Sequence, residues 1–263
     1  MKFKSSIINI LVGVILVYLI FGLFLFFNQK SILYYPNNQD FENCDGFDDY
    51  EKINFKGTRF YYKQGSLDDV IIYYHGNAGS ACDRSYFRSV FEESDNSIIF
   101  VEYAGYSDDD RKPSKKLILQ DVDNIYDFMS ENSFENVIVY GRSIGSGAAS
   151  YHTSLGNVDS LILVTTFSKL ADVAKSRYTI YPASIMLGEK YDNIKWLENF
   201  EGNIIIIHGD SDSIIPHKFS QKLFDALTTE KKEYVLIEGK GHNNIWSSSF
   251  RNKIIEFINK VQN

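Results

Sequence analysis

Fourteen residues near the middle of the chain, VIVYGRSIGSGAAS at 137–150, constrain the fold more than any other stretch. A short β-branched run stops at a glycine, and a segment of small residues follows at once. Gly141, Ser143 and Gly145 fit the pattern G-x-S-x-G. That spacing serves a strand that reverses into a helix so sharply that a larger side chain two positions from the serine would collide with neighbouring backbone. Such a turn lifts the serine hydroxyl clear of the sheet edge. It also points the next amide, that of Ile144, to the same side, where a second backbone N–H can join it in holding an oxyanion. A purely structural glycine-rich turn is the alternative, so the rest of the chain has to decide.

Residues 51–55 and 58–62 read as two strands joined at Gly57. Further apolar runs at 69–74, 97–103, 137–140, 160–164, 203–207 and 233–237 predict six more. The run at 69–74 is continuous rather than alternating, as suits a strand covered on both faces. Between the strands the sequence predicts helices over about 84–93, 114–130 and 217–227, one after the serine turn, and a terminal helix through Phe257. In the second of these Leu117, Val122, Ile125 and Phe128 fall near one face. The alternation predicts an α/β fold with a mostly parallel central sheet between helix layers, and ligand chemistry at the carboxyl ends of the strands. Residues 168–200 carry no clear strand and hold Tyr178, Tyr181, Pro182 and Trp196; they are expected to form a short lid.

The N-terminus is separate in character. Residues 7–27, IINILVGVILVYLIFGLFLFF, are almost wholly apolar and about as long as a helix needs to cross a hydrocarbon core. A cleavable signal peptide would have a shorter apolar region ending in a small-x-small site, whereas Phe26, Phe27, Asn28, Gln29 and Lys30 follow here. The expectation is a retained single-pass anchor over residues 1–30 and one domain over 31–263. Lys2 and Lys4 precede the run and Lys30 follows it, which places the N-terminus in the cytoplasm and the domain on the other side. A net charge of −7 without clustered Lys and Arg argues against a nucleic-acid partner. Cys44 and Cys82 match no zinc-site spacing; they can be bonded in an oxidising compartment or remain two buried thiols.

A serine becomes a nucleophile when a base takes its proton and a third group orients the base. Of five histidines, His75 and His208 each precede a glycine at a strand end, His152 lies in the helix after Ser143, and His217 opens a helix. His242, in EGKGHNN, follows the last strand on a flexible turn that can swing an imidazole over the sheet edge. Asp210 and Asp212 both follow the strand at 203–207. Asp212 is preferred because the loop can extend through it before Pro216 sets the next turn, with Asp210 the alternative.

Taken together, HGNAG at 75–79, YGRSIGSG at 140–147, YDN at 191–193, HGDSDSIIP at 208–216 and GHNNI at 241–245 make the chain resemble an α/β-hydrolase. Within that superfamily it resembles the membrane-anchored serine hydrolases that include lipid and acyl-protein hydrolases. The resemblance implies Ser143 as nucleophile, Asp212 as orienting acid, His242 as base, and the amides of Asn77 and Ile144 as oxyanion donors, with no metal or organic cofactor. It implies cleavage of an ester or thioester through an acyl-enzyme, with lipids or acylated proteins as substrates for an anchored enzyme. The chain departs from the group at Tyr103, Ala104, Gly105, Tyr106 and Ser107, where relatives carry an arginine and a glycine-serine-rich loop.

Three other readings compete. A serine peptidase of the same fold would use the same residues, and a catalytically silent membrane-tethered binding module would keep the fold without the chemistry. A dinucleotide-binding enzyme would draw on GxxxGxG at 141–147 and on Tyr191 with Lys195. Its fingerprint, however, belongs in the first βαβ unit with an acid ending the next strand, and Asp159 precedes its strand instead.

Overall fold

The computed structural model describes residues 2–262. Strands β1 (Glu51–Phe55), β2 (Thr58–Lys63), β3 (Val70–Tyr74), β4 (Ser97–Glu102), β5 (Val137–Arg142), β6 (Ser160–Val164), β7 (Asn203–Gly209) and β8 (Lys232–Ile237) form one sheet. Their order is 8-7-6-5-3-4-2-1. β1 pairs antiparallel with β2 and β2 with β4, and every later pairing is parallel. The longer helices are α1 (Lys2–Leu33), α2 (Lys115–Asn132), α3 (Gly145–Leu155), α4 (Leu170–Arg177), α5 (Lys218–Ala226) and α6 (Ser248–Val261).

The continuous apolar runs follow from burial on both faces of the sheet. In β3, Val70, Ile72 and Tyr74 join the core under α2, α3 and α5, while Ile71 and Tyr73 join the core under α6. The second core is aromatic, with Tyr73 and Tyr140 stacked at 4.9 Å between ring centroids and Phe87, Phe91 and Phe100 around them. Each such side chain contributes roughly 1.5–3 kcal/mol through burial. α2 starts where Ser114 caps it, its hydroxyl accepting from the Leu117 amide.

One expected helix is broken. Instead of a continuous helix over 84–93, the chain makes a tight 3-10 turn (Cys82–Phe87), one α-turn (Arg88–Phe91) and a second 3-10 turn (Glu92–Ser94). Cys82 is bonded to Cys44, and a Cβ on Gly46 would stand 2.2 Å from Ser85 Oγ. The crosslink and this close approach hold the stretch in tighter turns than an α-helix. The bond, with Cα atoms 5.9 Å apart, also settles the open question of the two cysteines. It staples the aperiodic stretch after α1, where Phe41 and Phe47 are buried, to the domain.

Among the described residues α1 is the one helix long and apolar enough to cross a membrane. Its far end is built into the domain rather than hung from it. Tyr34 is buried and donates from its hydroxyl to Glu189 Oε2 at 2.7 Å, and Tyr35–Pro36 pair in parallel with Ala78–Gly79.

Candidate active site

The turn after β5 has the conformation its sequence demands. Ser143 sits in the left-handed region at φ 54°, a position that costs of order 1–3 kcal/mol for a non-glycine residue. Its amide donates to Val164 O and its carbonyl accepts from the Ser146 amide and hydroxyl. A Cβ on Gly145 would lie 2.3 Å from His75 O, and one on Gly141 would lie 2.6 Å from both Gly145 O and the Ala149 Cβ. Only glycine fits either place. Tyr191, from the YDN motif, packs against Gly147, and Asn193 donates to Phe167 O, so this motif braces the helix behind the serine.

The loops after β7 and β8 bring two more side chains to the same edge. His242 Nε2 lies 2.9 Å from Ser143 Oγ, and His242 Nδ1 lies 2.7 Å from Asp212 Oδ2. Asp212 Oδ1 accepts from the amides of Ile214 and Ile215 at 2.8 and 2.7 Å, which fixes the carboxylate plane. Burial opposes ionisation of Asp212, but hydrogen bonds from His208 and His242 and the Ile215 amide outweigh it and hold the carboxyl well below its ordinary range. Asp210, the alternative acid, instead accepts from Ser211 Oγ and the Gly239 amide and closes its own loop.

The remaining histidines fall elsewhere. His152 is buried with Nδ1 2.8 Å from the Tyr74 hydroxyl, and burial alone lowers its pKa to about 3. His217 precedes α5, its Nδ1 3.3 Å from Asp210 O. His75 bonds Gly76 O and stands 3.3 Å from Glu102. His208 does bond loop backbone, at Ile215 O, yet the same Nε2 also reaches Asp212 Oδ2 at 3.1 Å. Sequence reasoning missed that second imidazole on the acid; its spacing of four from Asp212 was the available signal. It also missed Arg142, whose Nη2 donates to His242 O at 2.8 Å and ties the elbow to the histidine loop.

Asn77 and Ile144 both line the cleft in front of Ser143, and neither amide donates to a protein group among the described residues. The Asn77 loop is held from three directions. Its carbonyl accepts from the Tyr35 amide and the Tyr106 hydroxyl, and its side chain donates to Leu33 O. Tyr103 donates to His75 O in the same loop. The turn where the sequence departs from its resemblance therefore supplies two tyrosines that brace this loop. The cleft itself is a largely apolar cavity of about 530 Å³ bounded by α1, α4 and the segment after it.

Strand order 1-2-4-3-5-6-7-8, a strained serine after the fifth strand, and carboxylate and imidazole on the loops after the seventh and eighth make this an α/β-hydrolase fold. No protein-family model matches the chain. It is 23% identical over 233 residues to an uncharacterized protein of Mycobacterium tuberculosis H37Rv, covering 84% of this chain and 83% of that one. It is 25% identical over 191 residues to a lysophosphatidylserine lipase of Gallus gallus, covering 64% of this chain and 49% of the lipase. The Pyrococcus furiosus esterase PF2001 superposes with a TM-score of 0.68 at 13% identity, covering 88% of this chain and 98% of the esterase.

Proposed function

We infer that the chain is a membrane-anchored serine hydrolase that cleaves carboxylic ester or thioester bonds. The observation that carries this is the unbroken path from Ser143 Oγ through His242 to Asp212, at 2.9 and 2.7 Å, opening on an apolar cleft. His242 Nε2 takes the Ser143 proton as Oγ attacks the carbonyl, and the amides of Asn77 and Ile144 hold the oxyanion. Each donor is worth about 10²- to 10³-fold in rate. Collapse of the tetrahedral intermediate transfers the proton from Nε2 to the leaving group and leaves an acyl-Ser143. Water, deprotonated by the same nitrogen, then releases the acid. The names of the esterase and the lipase above favour ester substrates, and the apolar cleft favours an acyl chain on the acid side.

α1 serves as the anchor. The Cys44–Cys82 bond supports placing the domain on an oxidising, non-cytoplasmic side, in the sense that Lys2 and Lys4 also indicate. A fluorophosphonate probe tests the chemistry: it should label the full-length protein at Ser143 and fail to label Ser143→Ala. Folded protein that takes up no probe would overturn the hydrolase.

A further inference from the structure

The cleft has an unusual wall. Leu25, Phe26 and Gln29 of α1 line it on one side, facing Tyr181, Met186 and Leu187, and Ser143 lies in the same lining. α1 and the segment 178–188 are joined at two levels. Gln29 Oε1 accepts from the Gly188 amide at 2.6 Å. Eleven residues earlier, the rings of Tyr18 and Tyr181 stack at 4.6 Å and 6°, and each hydroxyl reaches across: Tyr18 to Ile180 O at 3.0 Å and Tyr181 to Tyr18 O at 2.8 Å. Gly22 admits the ring, since a Cβ there would stand 2.9 Å from Tyr181 Cε1.

Those two levels are about 16 Å apart along the helix. Residues 7–27 span about 31 Å as a helix, the thickness of the hydrocarbon core. Phe27 then marks one boundary of that core and Tyr18 lies about 13 Å inside it. A segment stacked on Tyr18 must enter the leaflet with it.

Residues 178–188 are made for such an environment. YTIYPASIMLG contains no charged side chain, while Lys175 and Arg177 precede it and Glu189 and Lys190 follow. Ile180 and Ile185 are large apolar groups 70% and 79% exposed. Most of its backbone N–H groups, which lipid cannot satisfy, are paired, among them Tyr181 N–H with Tyr178 O, Ala183 N–H with Tyr181 O, Ile185 N–H with Pro182 O and Leu187 N–H with Ala183 O, while those of Thr179, Ile180 and Ser184 have no protein partner among the described residues. The Tyr18 hydroxyl satisfies Ile180 O.

We propose that residues 178–188 are embedded in the leaflet beside α1, and that the cleft between them takes the acyl chain of an ester lipid sideways from that leaflet, delivering its carbonyl to Ser143. The substrate is then a long-chain ester lipid that never leaves the bilayer, and α1 is a wall of its binding site as well as an anchor. The acyl part of this rests on the hydrolase reading; the embedding does not.

Two measurements on full-length protein in phosphatidylcholine vesicles test it. Cys44 and Cys82 are bonded and no free cysteine stands among the described residues, so Ile185→Cys gives a unique site for a nitroxide. That label should collide with dissolved oxygen in preference to an aqueous nickel chelate, like a label at Val17→Cys and unlike one at Leu236→Cys on the edge strand β8. A label as open to nickel as the one at 236, or shielded from both reagents as contact with a second copy would make it, overturns the proposal. Secondly, the pair Ile180→Asp and Ile185→Asp should lower turnover of a long-chain ester in the vesicles at least tenfold while changing p-nitrophenyl acetate turnover less than twofold. Equal effects on both esters overturn the lateral route. A wild-type protein that labels with no fluorophosphonate sinks the hydrolase and with it the lipid route, and the nitroxide then decides the embedding alone.

Discussion

Replacing Asp212 by asparagine separates a catalytic carboxylate from a structural one. The two amides of Ile214 and Ile215, at 2.8 and 2.7 Å from Oδ1, can be met only by an oxygen, so the new side chain must keep its carbonyl there. Its NH₂ group then faces His242 Nδ1, 2.7 Å from the replaced oxygen. Donor faces donor unless the ring moves its proton to Nε2, and Nε2–H at 2.9 Å from Ser143 Oγ can no longer accept the serine proton. Loss of the base by tautomer alone should lower kcat about 10⁴-fold, or about 5.5 kcal/mol in the barrier. The fold should survive at neutral pH, weakened by about 1–3 kcal/mol for the lost charged hydrogen bonds. The sign with pH follows: the native carboxyl is held below its unfolded value, so its stabilisation is full above about pH 4 and is lost as pH falls through the native value. Initial rates on p-nitrophenyl acetate, with circular dichroism to verify folding, measure the effect. Asp210→Asn, whose side chain hydrogen-bonds Ser211 and Gly239 rather than a histidine, should stay within about threefold of wild type. A ranking in which Asp210→Asn is the dead variant, or an Asp212→Asn enzyme with more than a tenth of wild-type rate, would refute the assignment.

Three further outcomes follow from the packing. Gly145→Ala places a methyl 2.3 Å from His75 O and 2.4 Å from Tyr74 O and should destabilise by about 3 kcal/mol or more, whereas Gly239→Ala, at φ 68° in open space, should lose only about 1–2; urea midpoints compare them. Cys44→Ser with Cys82→Ser should lower stability by about 4 kcal/mol, the loop-entropy value for a crosslink spanning 38 residues, and a reducing agent should reproduce it in wild type. Asp121 is buried, which raises its carboxyl to about 7 despite hydrogen bonds from Ala104 N–H and the Thr58 hydroxyl. The native state therefore holds a proton that the unfolded chain releases, and stability should fall between about pH 4 and 7 and level off above. Asp121→Asn should flatten that slope, and an unchanged slope in unfolding curves at pH 5 and 8 would disprove the cause.

Much of the architecture could be read without coordinates because it is local. The strand runs, the small residues around Ser143 and the charge-free run at 7–27 are each dictated by backbone sterics or by transfer from water over a handful of neighbours. Other features were open to sequence only as candidates. Asp210 and Asp212 share a loop, and what separates them in space is a pair of amides at Ile214 and Ile215 that point at one carboxylate and not the other. The continuous helix expected over 84–93 does not form, because Cys82 just before it is bonded to Cys44, 38 positions away, a constraint no local pattern shows.

What the chain by itself determined is therefore the kind of layered sheet it builds, the glycine-flanked turn that presents Ser143, and a helix suited to lipid. The sequence offered His242 and preferred Asp212, and tertiary structure decided that His242 meets that serine and Asp212 meets His242, that Tyr35 and Leu33 hold the Asn77 loop, and that α1 lies along the cleft. The reason lies in range. Periodicity and turn chemistry act over a few residues, whereas a helix apolar on every side has the same sequence signature whether lipid or protein covers each face, and only packing between distant segments chooses.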